Sequence, residues 1–373
     1  RYSRQIIVCM KVSDIATCIE EIAPLSLQED YDNAGWQVGD KYSEATGALL
    51  CIDVTEEVVD EAISLGVNLI ISHHPLLFKG VKSLTGKNYV ERTVIKAIQH
   101  NISIYASHTN LDNAWSGVNF KMAEKLGLTN LSILMPQGGK LLKLVTYVPV
   151  SHADIVRNAL FTAGCGNIGD YDLCSYNSNG FGTFRAGLDS HPYCGTIGNL
   201  HQEEETRIET VLPEYLKEVA TQALLKTHPY EEPAFDFIKI ENQWVKAGSG
   251  VVGELLCPMD EMDFLQRTKT VFHAGCIKYS NLRNRRIRRV ALCGGAGAFL
   301  ISQAIASDAD VFITGEIKYH DYFGYDEHIL LAEVGHYETE QYTKDIFCDI
   351  ITKKFPNFAV HYTKVETNPI NYL

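Results

Sequence analysis

The sequence predicts an α/β fold in which two similar α/β halves form a dinuclear metal core, with a ferredoxin-like α+β segment inserted between them. Three observations lead there. A strand-helix alternation runs over residues 47–112 and recurs from residue 288 onward. Residues of metal-ligand type follow directly on strands in both regions. The intervening segment, residues 141–242, has a different rhythm that closes on itself.

Taken in order, residues 1–9 read as an N-terminal extension and Met10 as the natural start. Lys-Val-Ser-Asp-Ile then opens a helix with a Ser or Asp cap. The first half, residues 10–137, continues with a strand at 48–54 and a helix capped by Thr55, with Glu56 and Glu57 in its first turn. A strand at 68–72, a helix at 90–99 and a strand at 102–106 complete a βαβαβ unit. The insert, residues 138–246, reads as strand 142–148, helix 152–163, a long Gly-, Asn- and Ser-rich stretch, strand 209–212, helix 214–225 and strand 234–240. That order suits a βαββαβ unit. Gly-containing stretches at 135–140 and 246–253 read as its linkers. The second half, residues 247–373, repeats the first pattern: strand 288–293, a Gly-Gly-Ala-Gly turn, a helix to 306, strands 310–314 and 329–334, and a helix to about 354.

At 373 residues the chain is long enough for two or three domains. Lys and Arg number 33 against 46 Asp and Glu, a net charge of −13, which argues against nonspecific nucleic-acid binding. The one basic run, residues 283–289, reads as a solvated hairpin or strand edge, with a phosphate contact as the sharper alternative. No apolar run approaches the ~18 to 20 residues of a membrane helix, and the N-terminus lacks the apolar region of a signal peptide. Ten cysteines occur without Cys-x-x-Cys, and Cys51, Cys257 and Cys293 sit in apolar, strand-like runs. Buried reduced thiols, and hence a cytoplasmic protein, are expected.

Three stretches carry the chemistry: His73 and His74 in Ile-Ser-His-His-Pro, Asp112 in His-Thr-Asn-Leu-Asp-Asn, and His336 with Glu340 in Gly-His-Tyr-Glu-Thr-Glu. Each follows a strand, where open α/β sheets bind ligands. Imidazole and carboxylate suit zinc, iron, manganese, nickel or cobalt, whereas calcium and magnesium take oxygen donors. His336 and Glu340 are four apart, so a helix starting near Gly335 places both on one face. Five such ligands exceed the about four that one zinc takes. They suit two ions roughly 3.5 to 4 Å apart with a carboxylate between them. Taken singly, each stretch has a plainer reading: a satisfied turn, an Asx-turn or cap, a surface pair. The recurrence after strands decides for metal. His108 is a candidate general acid or base, with a histidine that orients a ligand as the alternative. Lys318, His320 and the backbone of residues 294–297 are candidate phosphate contacts, with surface solvation and a plain tight turn as the alternatives. Asp32 and Asn33 read as a turn or the rim of the metal site, and His228 to Glu232 as a structural corner.

Together these motifs resemble the NGG-one-interacting factor three family, whose bacterial members are known as GTP cyclohydrolase 1 type 2 homologues. The resemblance rests on Tyr31-Asp32-Asn33-Ala34-Gly35-Trp36-Gln37-Val38-Gly39, Ser72-His73-His74-Pro75, His108-Thr109-Asn110-Leu111-Asp112, Thr314-Gly315-Glu316-Ile317-Lys318-Tyr319-His320, and Gly335-His336 with Glu340. The segment ending His228-Pro229-Tyr230-Glu231-Glu232-Pro233-Ala234 is similar to the PII-like or CutA-like insert of longer members. The resemblance implies two divalent ions per chain, zinc first, held by His73, His74, Asp112, His336 and Glu340 with Glu340 bridging. It implies homohexameric rings with the sites facing an internal cavity. It also implies hydrolysis of a purine nucleotide such as GTP; a metal-binding scaffold or regulatory protein with a ligand-sensing insert, and a metal chaperone, stay open beside it.

Overall fold

Strands Ala48–Cys51, Leu69–Ser72 and Ser103–Ala106 are buried at every position, as parallel strands covered on both faces must be. A computed structural model describes residues 10–325 and 327–373 of the chain; the extension proposed for residues 1–9 lies outside them. The chain divides into two units, one from residues 10–135 with 247–373 and one from Pro136–Lys246.

The first unit holds two sheets. In the five-stranded sheet the order is Gly35–Val38, Ser103–Ala106, Leu69–Ser72, Ala48–Cys51, Val360–Tyr362, parallel except for the first pair. The strand near the C-terminus thus closes the sheet of the first half. In the six-stranded sheet the order is Lys278–Tyr279, Leu330–Glu333, Val311–Thr314, Arg286–Cys293, Trp244–Asp260, Leu128–Gln137, with the middle three parallel. The expected alternation is present in both halves. Helix Glu56–Leu65 begins where Thr55 accepts a hydrogen bond from the Val58 N–H and ends on Gly66 in the left-handed region. Helix Tyr89–Gln99 is capped by Asn88. Apolar clusters around Val58, Ile70 and Ile104 in the first half and Phe264, Val290 and Ile313 in the second make the cores.

Three expectations fail here. The glycine stretches expected as linkers are mostly strand, because Leu128–Gln137 and Trp244–Asp260 run through them as neighbours in the six-stranded sheet. Gly250, φ +67°, marks close packing: a Cβ there would meet Leu300 Cδ1 at 2.8 Å and the Leu292 carbonyl at 3.0 Å. The last helix is two, His336–Glu340 and Thr343–Lys354. Of the cysteines in apolar runs, Cys51 and Cys293 are buried, but Cys257 is exposed.

The second unit is a four-stranded antiparallel sheet ordered Tyr176–Arg185, Leu200–Pro213, Leu141–Pro149, Phe235–Ile240, with helices Ala153–Thr162 and Lys217–Thr227. This is the βαββαβ arrangement, and its core gathers Leu144, Val156, Leu160, Ile208, Leu212 and Leu224. The Gly-, Asn- and Ser-rich stretch contains a strand that sequence reasoning missed. Residues 176–185 pair one for one with residues 200–209, so ladder hydrogen bonds offset a weak intrinsic strand propensity.

Thr129 Oγ1 donates to the Glu254 carbonyl at 3.2 Å, so the flanking strands hold each other without the insert. Replacing residues 136–246 by a short Gly/Ser linker is expected to give a soluble chain with one cooperative thermal transition. An insoluble or non-cooperative product would show that the first unit depends on the second.

Candidate metal centre

His73 and His74 leave the end of Leu69–Ser72 with their N–H groups bonded to the carbonyls of Cys51 and Ile52, at 3.3 and 2.9 Å. Asp112 ends the single helical turn Thr109–Asp112 after Ser103–Ala106. His336 begins its helix directly after Gly335, whose φ of +121° favours glycine. Glu340 follows one turn later, 2% exposed. Strand ends of both sheets therefore converge, and the structure brings all five residues together.

Glu340 is the hub. Its Oε1 lies 3.6 Å from His73 Nε2, and its Oε2 lies 2.9 Å from His74 Nε2 and 3.2 Å from His336 Nε2. His73 Nε2 is 3.7 Å from Asp112 Oδ1. Two donor groups share the carboxylate: His73, Asp112 and Glu340, and His74, His336 and Glu340. His108 forms a third group with His73 and His74, its ring 5.3 Å from each of theirs.

The far side of each imidazole is anchored. His73 Nδ1 is 3.0 Å from the Ser107 carbonyl, His74 Nδ1 2.7 Å from Asp53, His108 Nδ1 2.7 Å from Asp32 and His336 Nδ1 2.8 Å from Glu316. A carbonyl only accepts, so His73 carries a proton on Nδ1 and turns Nε2 toward Glu340. Metal-bound histidines are oriented in this way. Three buried atoms at the centre make no hydrogen bond: His73 Nε2, Asp112 Oδ1 and Glu340 Oε2. Buried polar atoms are rarely left so. The two imidazoles nearest Glu340 Oε2 are close enough to bond but misaligned, as ligands aimed at a common cation would be.

The electrostatics agree. Burial and the nearby Glu340 charge push the Asp112 carboxyl far above its usual range. Burial would raise Glu340 too, but His73 and His74 hold it well below. Burial disfavours a charge on His74 and His336, yet Glu340 outweighs it with help from Asp53 and Glu316, lifting them to about 10 and about 9. Burial pushes His73 down.

Of the other residues singled out, Asp32 lies at the rim, where its carboxylate accepts from the Thr109 N–H at 3.0 Å and from the Thr109 hydroxyl as well as holding His108. The backbone of 294–297 is a plain tight turn: the N–H groups of Gly294, Gly295 and Gly297 donate to Asn119, Thr339 and Thr314. The basic run is structural, with Arg288 and Arg289 paired to Glu254. Lys318 and His320 are exposed. Both ring nitrogens of His228 are engaged, by the Tyr147 carbonyl and the Tyr230 N–H, which makes it a corner. Cys293 lies near enough to Asp112 and Glu340 to feel both; burial first, then those charges, push its thiol up, and it joins no donor group. Asp53, Ser107 and Glu316 were missed. Asp53 carried a signal, since it follows a parallel strand just as His73 does.

Gly315 lets the strand ends of the six-stranded sheet crowd together behind His336. A Cβ there would lie 2.6 Å from the Gly295 carbonyl and 2.9 Å from His336 Cα, both backbone, so Gly315→Ala is expected to destabilise the fold by about 1–3 kcal/mol and displace His336. Urea unfolding measures the first effect. Asp32 provides a pH test. Burial would raise its carboxyl, but the bonds from His108 and Thr109 hold it at about 2, against an ordinary 3.8. A depressed carboxyl stabilises the fold above its unfolded pKa and loses that contribution as pH falls from about 4 to about 2. Metal-free wild type should lose about 2 kcal/mol across that window that Asp32→Asn does not, read by denaturant titration at each pH.

The family described as Duf34/NIF3 (NGG1p interacting factor 3) matches residues 10–369. A relative from Staphylococcus aureus (strain MSSA476), named GTP cyclohydrolase 1 type 2 homolog, is 36% identical over 369 residues, covering 98% of this chain and 100% of its own. One of the same name from Halalkalibacterium halodurans is 39% identical over 315 residues, 83% of this chain and 85% of its own. The crystal structure of a Bacillus cereus protein related to NIF3 superposes with a TM-score of 0.84 at 34% identity, covering 98% of this chain and 100% of that one. The motif resemblance, the fold and the relatives agree: the chain belongs to the Duf34/NIF3 family.

Proposed function

We propose that the protein is a metal-dependent hydrolase of a purine nucleotide, with two divalent ions per chain held by His73, His74, Asp112, His336 and Glu340. The observation that carries this reading is the sharing of Glu340 by two donor groups, one on each carboxylate oxygen. Zinc is the first expectation; iron, manganese, nickel and cobalt accept the same donors. Bound there, a pair of ions lowers the pKa of water to near neutrality and polarises the electrophile.

The protein's own groups divide the remaining work. Asp53, Ser107 and Glu316 fix the rings of His74, His73 and His336. His108, its side chain 15% exposed and tied to Asp32, holds or moves a proton at the substrate. A cavity of about 590 Å³ beside Asp53, His74, Glu316 and His336 gives a substrate room, which favours catalysis over a closed structural site. The purine comes from the relatives' name, GTP cyclohydrolase 1 type 2 homolog, which points to hydrolytic opening of the guanine imidazole ring at C8. A homohexameric ring in the cytoplasm, each chain carrying a PII- or CutA-like insert, completes the proposal. The described residues contain no helix long and apolar enough to cross a membrane.

Elemental analysis should find close to two transition-metal ions per chain at this centre, read as the loss from wild type to His73→Ala and Glu340→Gln. Full retention in both variants would remove these residues from the ligand set. With GTP, metal-loaded wild type should lose guanine absorbance and yield a product heavier by one water, or formate. His108→Ala should slow this by ~10² to 10⁴-fold. Equal rates for wild type and Glu340→Gln prepared in parallel, or no turnover across nucleotides and metals, would favour a scaffold or metal chaperone.

A further inference from the structure

The unit Pro136–Lys246 carries a separate cluster of metal-type donors. His201 and Glu203 are two apart on strand Leu200–Pro213, so both side chains leave the same face. His201 Nε2 lies 2.8 Å from Glu203 Oε2. Cys194 comes over them from the preceding turn, and one donor atom from each of the three lies within 4.8 Å of the others. The approach needs glycine at the next position: Gly195 has φ +81°, and a Cβ there would sit 2.9 Å from His201 Cβ and Cγ. Behind the cluster, the Tyr230 hydroxyl lies 3.9 Å from Cys194 Sγ and donates to Glu205 at 2.8 Å. All three donors are partly exposed, so an ion has access without the fold opening. An ordinary ion pair accounts for His201 and Glu203; the thiol, a weak donor to the Tyr230 hydroxyl, stands beside them as the third donor.

We propose that Cys194, His201 and Glu203 form a second metal site, selective for a thiophilic divalent ion of the zinc class, with one coordination position open. One sulfur, one nitrogen and one oxygen suit tetrahedral zinc, and the thiol discriminates against magnesium and calcium. Binding releases the thiol proton to solvent. A cavity of about 550 Å³ walled in part by Phe184, Tyr193 and Tyr230 adjoins the cluster; the Phe184 ring lies 5.3 Å from that of His201. A small ligand on the ion has room there.

The donor set makes the site separable from the centre at Glu340, whose proposed ligands are all nitrogen and oxygen. Cobalt(II) added to the full chain should produce a near-ultraviolet thiolate-to-cobalt charge-transfer band, filled at about one equivalent per site. The band should persist in Glu340→Gln and vanish in Cys194→Ser, while His201→Ala and Glu203→Gln weaken cobalt binding by more than ~10-fold. In wild type, zinc should slow alkylation of Cys194 by more than ~10-fold, read by peptide mass; this needs no variant to fold. A band undiminished in Cys194→Ser, no band in wild type, or alkylation of Cys194 indifferent to zinc would overturn the proposal.

Discussion

A carboxylate at the centre of the first unit, Glu340, is surrounded by imidazoles that face it without bonding to it properly. The arrangement persists because each ring is held from behind, by a main-chain carbonyl at His73 and by carboxylates at His74, His108 and His336. Burying ionised groups costs several kcal/mol apiece unless they are well paired. Here the pairing among the groups is incomplete, with three buried atoms unsatisfied. Two bound cations would satisfy all three, one beside His73 and Asp112 and the other at Glu340 Oε2, and their binding energy would add to folding stability.

The rest of the first unit follows from bringing those rings to one place. Parallel strands leave their sheets at the same end, so His73, His74 and Asp53 are neighbours by topology rather than by sequence. The six-stranded sheet repeats the device with Glu316 after Val311–Thr314 and His336 after Leu330–Glu333. Gly315 and Gly335 remove the bulk and strain that would keep its strand ends away from the centre. Closing the first sheet with the C-terminal strand Val360–Tyr362 ties the two halves together, which suits a site that draws ligands from both.

The five proposed ligands were legible because each stretch announces itself locally: paired histidines after an apolar strand, an aspartate soon after another, a histidine and glutamate at helical spacing. The βαβ pattern was legible for the same reason, since four-residue apolar strands between capped helices have few other readings. The groups behind the rings were harder to see. The Ser107 carbonyl has no sequence signature, and Asp32 and Glu316 acquire their roles only when loops from different elements meet. The strand at 176–185 was hidden by Gly, Asn and Ser, whose pairing partner lies beyond a long turn. Gly248 and Gly250 read as part of a linker although the chain there is strand, with Gly250 closely packed. The cluster at Cys194 escaped notice because His201 and Glu203 look like an ordinary surface pair until the turn is folded over them.

Anomalous diffraction from crystals of the protein as purified, recorded at the absorption edge of the metal found by elemental analysis, tests the central claim most directly. The account predicts two peaks flanking Glu340, one within about 2.0–2.2 Å of His73 Nε2 and the other at the same distance from His74 and His336 Nε2. Fully loaded crystals with no peak there, and with His73 Nε2, Asp112 Oδ1 and Glu340 Oε2 satisfied by water or by one another, would contradict it.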